Sequence, residues 1–281
     1  MNKLIINADD FGLCKSVNES IIECYLKNNL TSATLMVNTD NSEQAIDLAK
    51  KYNLNIGLHF NIVRGKSLYG KSTLTDNDGF FFSRQKLFYL IMMNKINKDD
   101  VKKEFLTQLN FFKNANLNLS HFDSDNHTHM HPFIFNSILD IINSNEKLIL
   151  RKVNPFYLSS FFANPSRFLQ QSFFKLLSFW NFKNNLKSND FIVSIYDLNK
   201  YTKISIKNYH KLLHTNKKNF TLELMVHPYK KSKELSKFYK SQKEISFVEN
   251  CIKEYEILTS KKDIFLNQDY HLINFKDLIS S

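Results

Sequence analysis

Residues 3–10, Lys-Leu-Ile-Ile-Asn-Ala-Asp-Asp, place a short apolar run directly before two adjacent carboxylates. An apolar run of about four to eight residues with polar boundaries suits a strand covered on both faces. Residues 3–8 therefore read as a buried strand, with Asp9 and Asp10 at its end. Adjacent carboxylates repel and resist desolvation unless a cation or a proton shares their site. One can bind a metal while the other takes a proton from water. Asp also suits helix caps and turns, so the pair alone leaves both readings open.

The same order repeats downstream. Strands are expected over 32–37, 55–62, 121–124, 148–153, 191–195, 221–226 and 271–275. Helices are expected over 16–28, where Val17, Ile21, Ile22 and Tyr25 keep helical spacing, and over 42–52 with Ser42 as N-cap. Others are expected over 85–94, 99–114, 132–142 behind Pro132, 206–214 and 244–258. Alternation of strand and helix predicts an α/β fold with a parallel sheet and helices outside. Asp9–Asp10, His59, the segment from Asp123 to His131, Arg151 and His227 all stand at expected strand ends. Active sites of β/α barrels are built at that end of the strands, so a barrel is the architecture expected.

The 281 residues suit one large domain, and no linker or internal repeat divides them. Three cysteines without CxxC spacing exclude a disulfide framework and a Cys-rich zinc site, and point to a reducing compartment. The apolar run before Asp9 is too short for a signal peptide, and no spanning stretch of about 18 or more apolar residues occurs. A cytoplasmic protein is expected. Net charge is +11, but no basic stripe carries interleaved aromatics, so nucleic acid is not an expected partner.

The segment 121–131, His-Phe-Asp-Ser-Asp-Asn-His-Thr-His-Met-His, is the sharpest chemical signal. His121, Asp123, Asp125, His127, His129 and His131 occupy alternate positions and would share one side of an extended chain. Oxygen and nitrogen donors in this mixture suit a hard or borderline divalent cation. His59 is either a structural residue or a further ligand. His227, between a strand and Pro228, has the chemistry of a general acid or of a hydrogen-bonded loop residue. Arg151 can hold an anionic or hydroxyl-rich group or neutralise a carboxylate. No G-x-S-x-G elbow, Cys/His pattern or P-loop is present, so acyl-enzyme and nucleotide chemistry lack a motif.

NADDFGLCKSVNESI (7–21), TSATLMVN (31–38), IGLHFNI (56–62), SHFDSDNHTHMHP (120–132) and VHPY (226–229) follow one another in an order that resembles the YdjC-like carbohydrate deacetylases. Chitooligosaccharide deacetylases and hopanoid-associated deacetylases belong to that family. The resemblance implies a deformed (β/α), TIM-barrel-like fold of the glycoside hydrolase and deacetylase type. It also implies one divalent metal and hydrolysis of an N-acetyl group from an amino sugar in an oligosaccharide or glycolipid. By position, Asp9 matches the general base, Asp10 and His59 match metal ligands, and His227 matches the late His-Pro histidine. The next metal histidine of the family falls on Asp125, a departure. His127 and His129 match the following two histidines. The resemblance thus implies Asp10, His59 and Asp125 around the metal, with His127, His129 or Arg151 as alternative metal or substrate contacts. A carboxylate at 125 favours Mg²⁺, with Mn²⁺, Fe²⁺ or Zn²⁺ as alternatives. It also leaves open an inactive, metal-containing carbohydrate-binding homologue.

Ten aromatics, Phe156 to Phe182, crowd an expected insertion at about 156–187, with Arg167, Lys175, Lys183 and Lys187 among or beyond them. Phe80, Phe81, Phe82, Phe88 and Tyr89 form a second cluster near Arg84 and Lys86. Core packing or a homodimer interface is the ordinary expectation. A peripheral membrane contact at the inner face is the other, because interfacial helices combine aromatics with basic residues.

Overall fold

A computed structural model describes residues 1–145, 148–162, 164–182, 186–197, 203–266 and 269–279. The expected insertion is therefore seen only in part, and Lys183 lies outside the described residues.

Among the described residues seven parallel strands form the sheet: β1 (Asn2–Phe11), β2 (Ser32–Leu35), β3 (Ile56–Phe60), β4 (Phe122–Ser124), β5 (Phe191–Val193), β6 (Thr221–Val226) and β7 (Tyr270–Leu272). Their order is β4-β3-β2-β1-β6-β5, with β7 on β1. A strand has two hydrogen-bonding edges. Leu4 pairs with Leu222 of β6 and with Leu272 of β7, so β7 takes the first half of the β1 edge that β2 takes further on.

Residues 148–156 bridge the two edge strands and complete the curl into a partial barrel. Phe122 N donates to Ile149 O at 2.8 Å, and Arg151 N donates to Phe122 O at 3.0 Å. Five residues on, Ile192 N donates to Asn154 O at 2.9 Å and Phe156 N to Ile192 O at 3.0 Å. The strand expected over 148–153 is thus an irregular segment joined to β4 by a single bridge at Leu150. It serves two neighbours in turn, which no continuous ladder can do. It thereby meets both edges of the sheet, at Phe122 of β4 and at Ile192 of β5.

Eight helices accompany the strands among the described residues: α1 (Lys15–Leu26), α2 (Ser42–Tyr52), α3 (Arg84–Met92), α4 (Lys98–Asn114), α5 (Pro132–Asn143), α6 (Pro165–Asn181), α7 (Ile206–Leu213) and α8 (Gln242–Ser260). Ser42 is the first helical residue of α2 rather than its cap, and its hydroxyl donates back to Thr39 O. The start of α5 uses Pro132 as expected, behind His131, whose Nδ1 accepts Phe133 N–H. α6 lies in the aromatic stretch, where so many large apolar residues obscure any periodicity in the sequence.

Alternation along β1 sorts the interior. Leu4, Ile6 and Ala8 join Leu222, Leu224 and Val226 in the large cluster with the helices. Ile5 faces the other way, with Ile149, Ile273 and Phe275, and forms an apolar floor. His121 stacks on Phe275 there, with ring centroids 3.6 Å apart. Above that floor the interior turns polar, through Asn7, Thr34, Asp123, Arg151 and Glu223, all buried. Burial on both faces is why β1 reads as one apolar run in sequence.

The segment 121–131 departs from the extended chain expected. β4 ends at Ser124, and Asp125–Met130 forms a 3₁₀ turn kinked at Asn126 and His127, whose φ values are 55° and 54°. The alternating side chains therefore do not share one side.

Candidate active site

Two consecutive strand residues should point to opposite faces. Between Ala8 and Phe11 the pairing of β1 with β2 shifts register, and Asp10 adopts φ 66°. This bulge turns both Asp9 and Asp10 into one cavity of about 1100 Å³ at the C-terminal end of the sheet.

Asp9 is held from below. Arg151 donates to both of its carboxylate oxygens, at 2.7 and 2.6 Å, and Asn7 Nδ2 donates to Oδ1 at 2.9 Å. Burial alone would raise the Asp9 carboxyl, but Arg151, His59 and His227 outweigh it and hold it well below the usual carboxylate range. Arg151 is fully buried and also pairs with Asp123 and with Glu223 Oε1 at 2.5 Å. Burial dominates at Glu223 and pushes its carboxyl up to about 7 despite Arg151.

Asp10, His59 and Asp125 converge, with their ligand atoms within 4.8 Å of one another and all three residues buried. His59 Nδ1 bonds Asp123 Oδ1 at 2.7 Å, which leaves Nε2 facing Asp10 Oδ1 at 3.4 Å. Anchoring one imidazole nitrogen on a carboxylate is how a protein orients the other toward a cation. Burial disfavours the imidazolium, yet Asp123, Asp10 and Asp9 raise His59 well above its ordinary value. Two buried carboxylates and one oriented nitrogen fit a hard or borderline divalent ion by charge and donor type. Asp9, His59 and Asp123 form a second such group sharing His59, but Asp9 and Asp123 are already engaged by Arg151.

The remaining histidines separate. His129 has both nitrogens in use, Nδ1 with Ser124 Oγ at 2.6 Å and Nε2 with Arg151 O at 3.0 Å. Burial pushes it down to about 3, so it is a neutral pillar between β4 and Arg151. His127 lines the cavity against Phe174, with Nδ1 lacking a hydrogen-bond partner among the described residues. It stands outside the group of Asp10, His59 and Asp125. His121 lies in the floor and His131 caps α5. His227 Nε2 faces Asp9 Oδ2 at 3.9 Å, its backbone N–H donates to Glu254 Oε2 at 2.9 Å, and its Nδ1 has no partner among the described residues.

Several participants escaped the sequence reading. Arg64 Nε donates to Asp125 Oδ2 at 2.7 Å. Tyr229, next to the quoted His-Pro, donates its hydroxyl to Asp10 Oδ2. Tyr239 hydrogen-bonds Tyr229 at 2.9 Å and lies under the Arg64 guanidinium. Glu223 sits within an expected strand. A charged residue inside an otherwise apolar strand, as Glu223 is, was the one available signal.

A sequence model of the YdjC-like protein family matches residues 3–263. The chain belongs to the YdjC-like family. A Clostridium beijerinckii protein named carbohydrate deacetylase is 31% identical over 281 residues, covering 98% of this chain and 100% of its own. A Brevibacillus brevis protein of the same name is 39% identical over 141 residues, 50% of this chain and 55% of that one. A crystal structure from Enterococcus faecalis, named as a cellobiose-phosphate cleavage protein, superposes with a TM-score of 0.76 over 99% of both chains at 23% identity, and so shares the fold. The YdjC-like match spans Asp9, Asp10, His59, Asp125, Arg151 and His227 alike.

Proposed function

We propose that this chain is a divalent-metal-dependent carbohydrate deacetylase that hydrolyses the N-acetyl amide of an amino sugar in an oligosaccharide or glycolipid. The supporting observation is the convergence of Asp10, His59 and Asp125 beside Asp9 and His227 in one cavity. The full-length relative named carbohydrate deacetylase supports the substrate class. Residues 1–281 are read as one catalytic unit, with 156–187 as an insertion, working in the cytoplasm.

Asp10, His59 and Asp125 would hold the cation, Mg²⁺ first among the candidates. When bound, such an ion supplies Lewis-acid polarisation of the amide carbonyl. Asp9, kept ionised and oriented by Arg151, takes the proton of the attacking water. His227, across from Asp9, gives a proton to the departing amine nitrogen. Asp123 fixes the His59 ring, and His127, on the cavity wall, is read as a contact for sugar hydroxyls. One observation favours a second reading, a sugar-binding homologue without turnover: the Arg64 guanidinium already pairs with Asp125.

The test strips the purified protein with chelator, restores Mg²⁺, Mn²⁺, Fe²⁺ or Zn²⁺ in turn, and assays free amine and acetate from N-acetylated oligosaccharides and glycolipids. Ion-dependent release of both products is expected. Sugar binding with no release under any ion would establish the second reading instead.

A further inference from the structure

The outer face of α6 is a surface that the catalytic reading does not use. Its inner face is anchored: Gln171 accepts Ser159 N–H at 2.6 Å, Phe174 packs on His127, and Leu177 joins Met130, Val153, Ile192 and Met225. Leu169, Phe173, Leu176 and Trp180 follow at spacings of four, three and four, one stripe on a helix, and are 59, 54, 48 and 55% exposed. α3 repeats the pattern on another wall of the same cavity, where Ser83, Arg84 and Gln85 line the space while Tyr89 and Met92 remain 56 and 78% exposed.

Charge on both elements has a single sign. Residues 79–98 contain four Lys or Arg and no Asp or Glu. Residues 147–189 contain seven Lys or Arg and no Asp or Glu, of which Arg151 is buried on its carboxylates and Arg167 is paired with Asp197. Elsewhere the chain is mixed, with 27 acidic residues in all. Lys175, on the exposed side of α6, and Arg84 and Lys86, at the start of α3, are all exposed. No helix among the described residues is long and apolar enough to cross a membrane. Short amphipathic helices with apolar, aromatic and basic residues lie in the membrane interface, where anionic headgroups attract the cations.

We propose that the outer faces of α6 and α3 dock on an anionic lipid surface, so that the cavity lies next to that surface. Charge complementarity selects this occupant over a second copy of the chain. A two-fold pair through α6 would set Lys175 against its own copy, with no Asp or Glu on the helix to offset it. The proposal concerns binding alone and does not depend on the deacetylase reading.

Trp180 is the only tryptophan in the chain and stands on the stripe, so its emission reports the event directly. The full-length protein is titrated with vesicles of phosphatidylcholine alone and of phosphatidylcholine mixed with phosphatidylglycerol, with co-sedimentation in parallel. The expected result is a blue shift of Trp180 emission and pelleting with the anionic vesicles only, both weakened by added salt. Removing two exposed apolar contacts in Phe173→Ser/Leu176→Ser should weaken partitioning by about tenfold or more. Lys175→Glu should weaken it while leaving near-UV circular dichroism unchanged. An unshifted Trp180 with both vesicles, or binding indifferent to headgroup charge and salt, would overturn the proposal. So would a concentration-dependent dimer that shifts Trp180 without lipid.

Discussion

Asp9 and Asp125 show how one residue type takes different work from its neighbours. Asp9 accepts two hydrogen bonds from a buried guanidinium that holds it low, ionised and fixed in place. Asp9→Asn should therefore cut turnover by about 10²–10⁴-fold, the usual range for a positioned acid or base. Its Mn²⁺ affinity, read by calorimetry, should stay within a few-fold of the parent. A parallel loss of Mn²⁺ would mean that the roles of Asp9 and Asp10 are exchanged. Asp125 has the opposite problem, because its partner Arg64 is a cation at the place where another cation is expected to bind. At an effective dielectric of about 20, a unit charge roughly 5 Å away still carries energies of kcal/mol size. Arg64→Gln should tighten Mn²⁺ binding by about tenfold or more, and weaker binding would show that Arg64 positions Asp125 instead. This pair could not be read from the sequence, since positions 64 and 125 meet only through folding.

At the level of elements, legibility depended on whether local chemistry was enough. β1, β2, β3, β6 and the helices α1, α2, α4 and α5 lie within a few residues of the expected spans, because hydrophobic period and caps are local signals. The strand expected over 148–153 failed because the segment splits its hydrogen bonds between β4 and, further on, β5, a demand set by closure of the barrel. The alternation in 121–131 failed because two left-handed residues, Asn126 and His127, turn the chain within it. Residue types at alternate positions do not reveal such a turn when neither residue is Gly. The β3–β4 contact carries a further constraint. A Cβ at Gly57 would lie 2.6 Å from both the ring and the backbone carbonyl of His121. Backbone cannot retreat from β4 without moving Asp123, which pairs with His59 of the same strand register. Gly57→Ala should cost about 1–3 kcal/mol or more in urea denaturation, as overpacking does. It should also perturb cation binding through His59. An unaltered midpoint would show that β3 and β4 are looser than this packing implies.

Across the whole molecule, the polar barrel interior ties global stability to pH. His121 and His129 are buried and His127 is half-buried on the cavity wall, and desolvation lowers all three, His129 to about 3. The unfolded chain takes up protons at these residues below about pH 6.5, while the folded chain does not. Their contribution is therefore fully present above pH 6.5 and is lost as pH falls toward the folded value. Glu223 works in the opposite sense. Burial raises it to about 7 from 4.5, so its contribution is present below pH 4.5 and lost as pH rises through 7. The two opposing slopes overlap between about pH 4.5 and 6.5, so the parent protein alone cannot separate them, whereas a single variant can. His129→Gln removes one downward-shifted imidazole together with its bonds to Ser124 and Arg151 O. At pH 7.5 the variant should be less stable than the parent, by about 1–3 kcal/mol for the lost buried hydrogen bonds. As pH falls from 6.5 to 5 that deficit should shrink by on the order of 1–2 kcal/mol, because the parent alone bears the unmet proton uptake. Urea denaturation at both pH values measures the change. A deficit that stays constant with pH would mean that folded His129 takes up its proton as readily as the unfolded chain does, and that the interior beneath the site is wetter than its burial indicates.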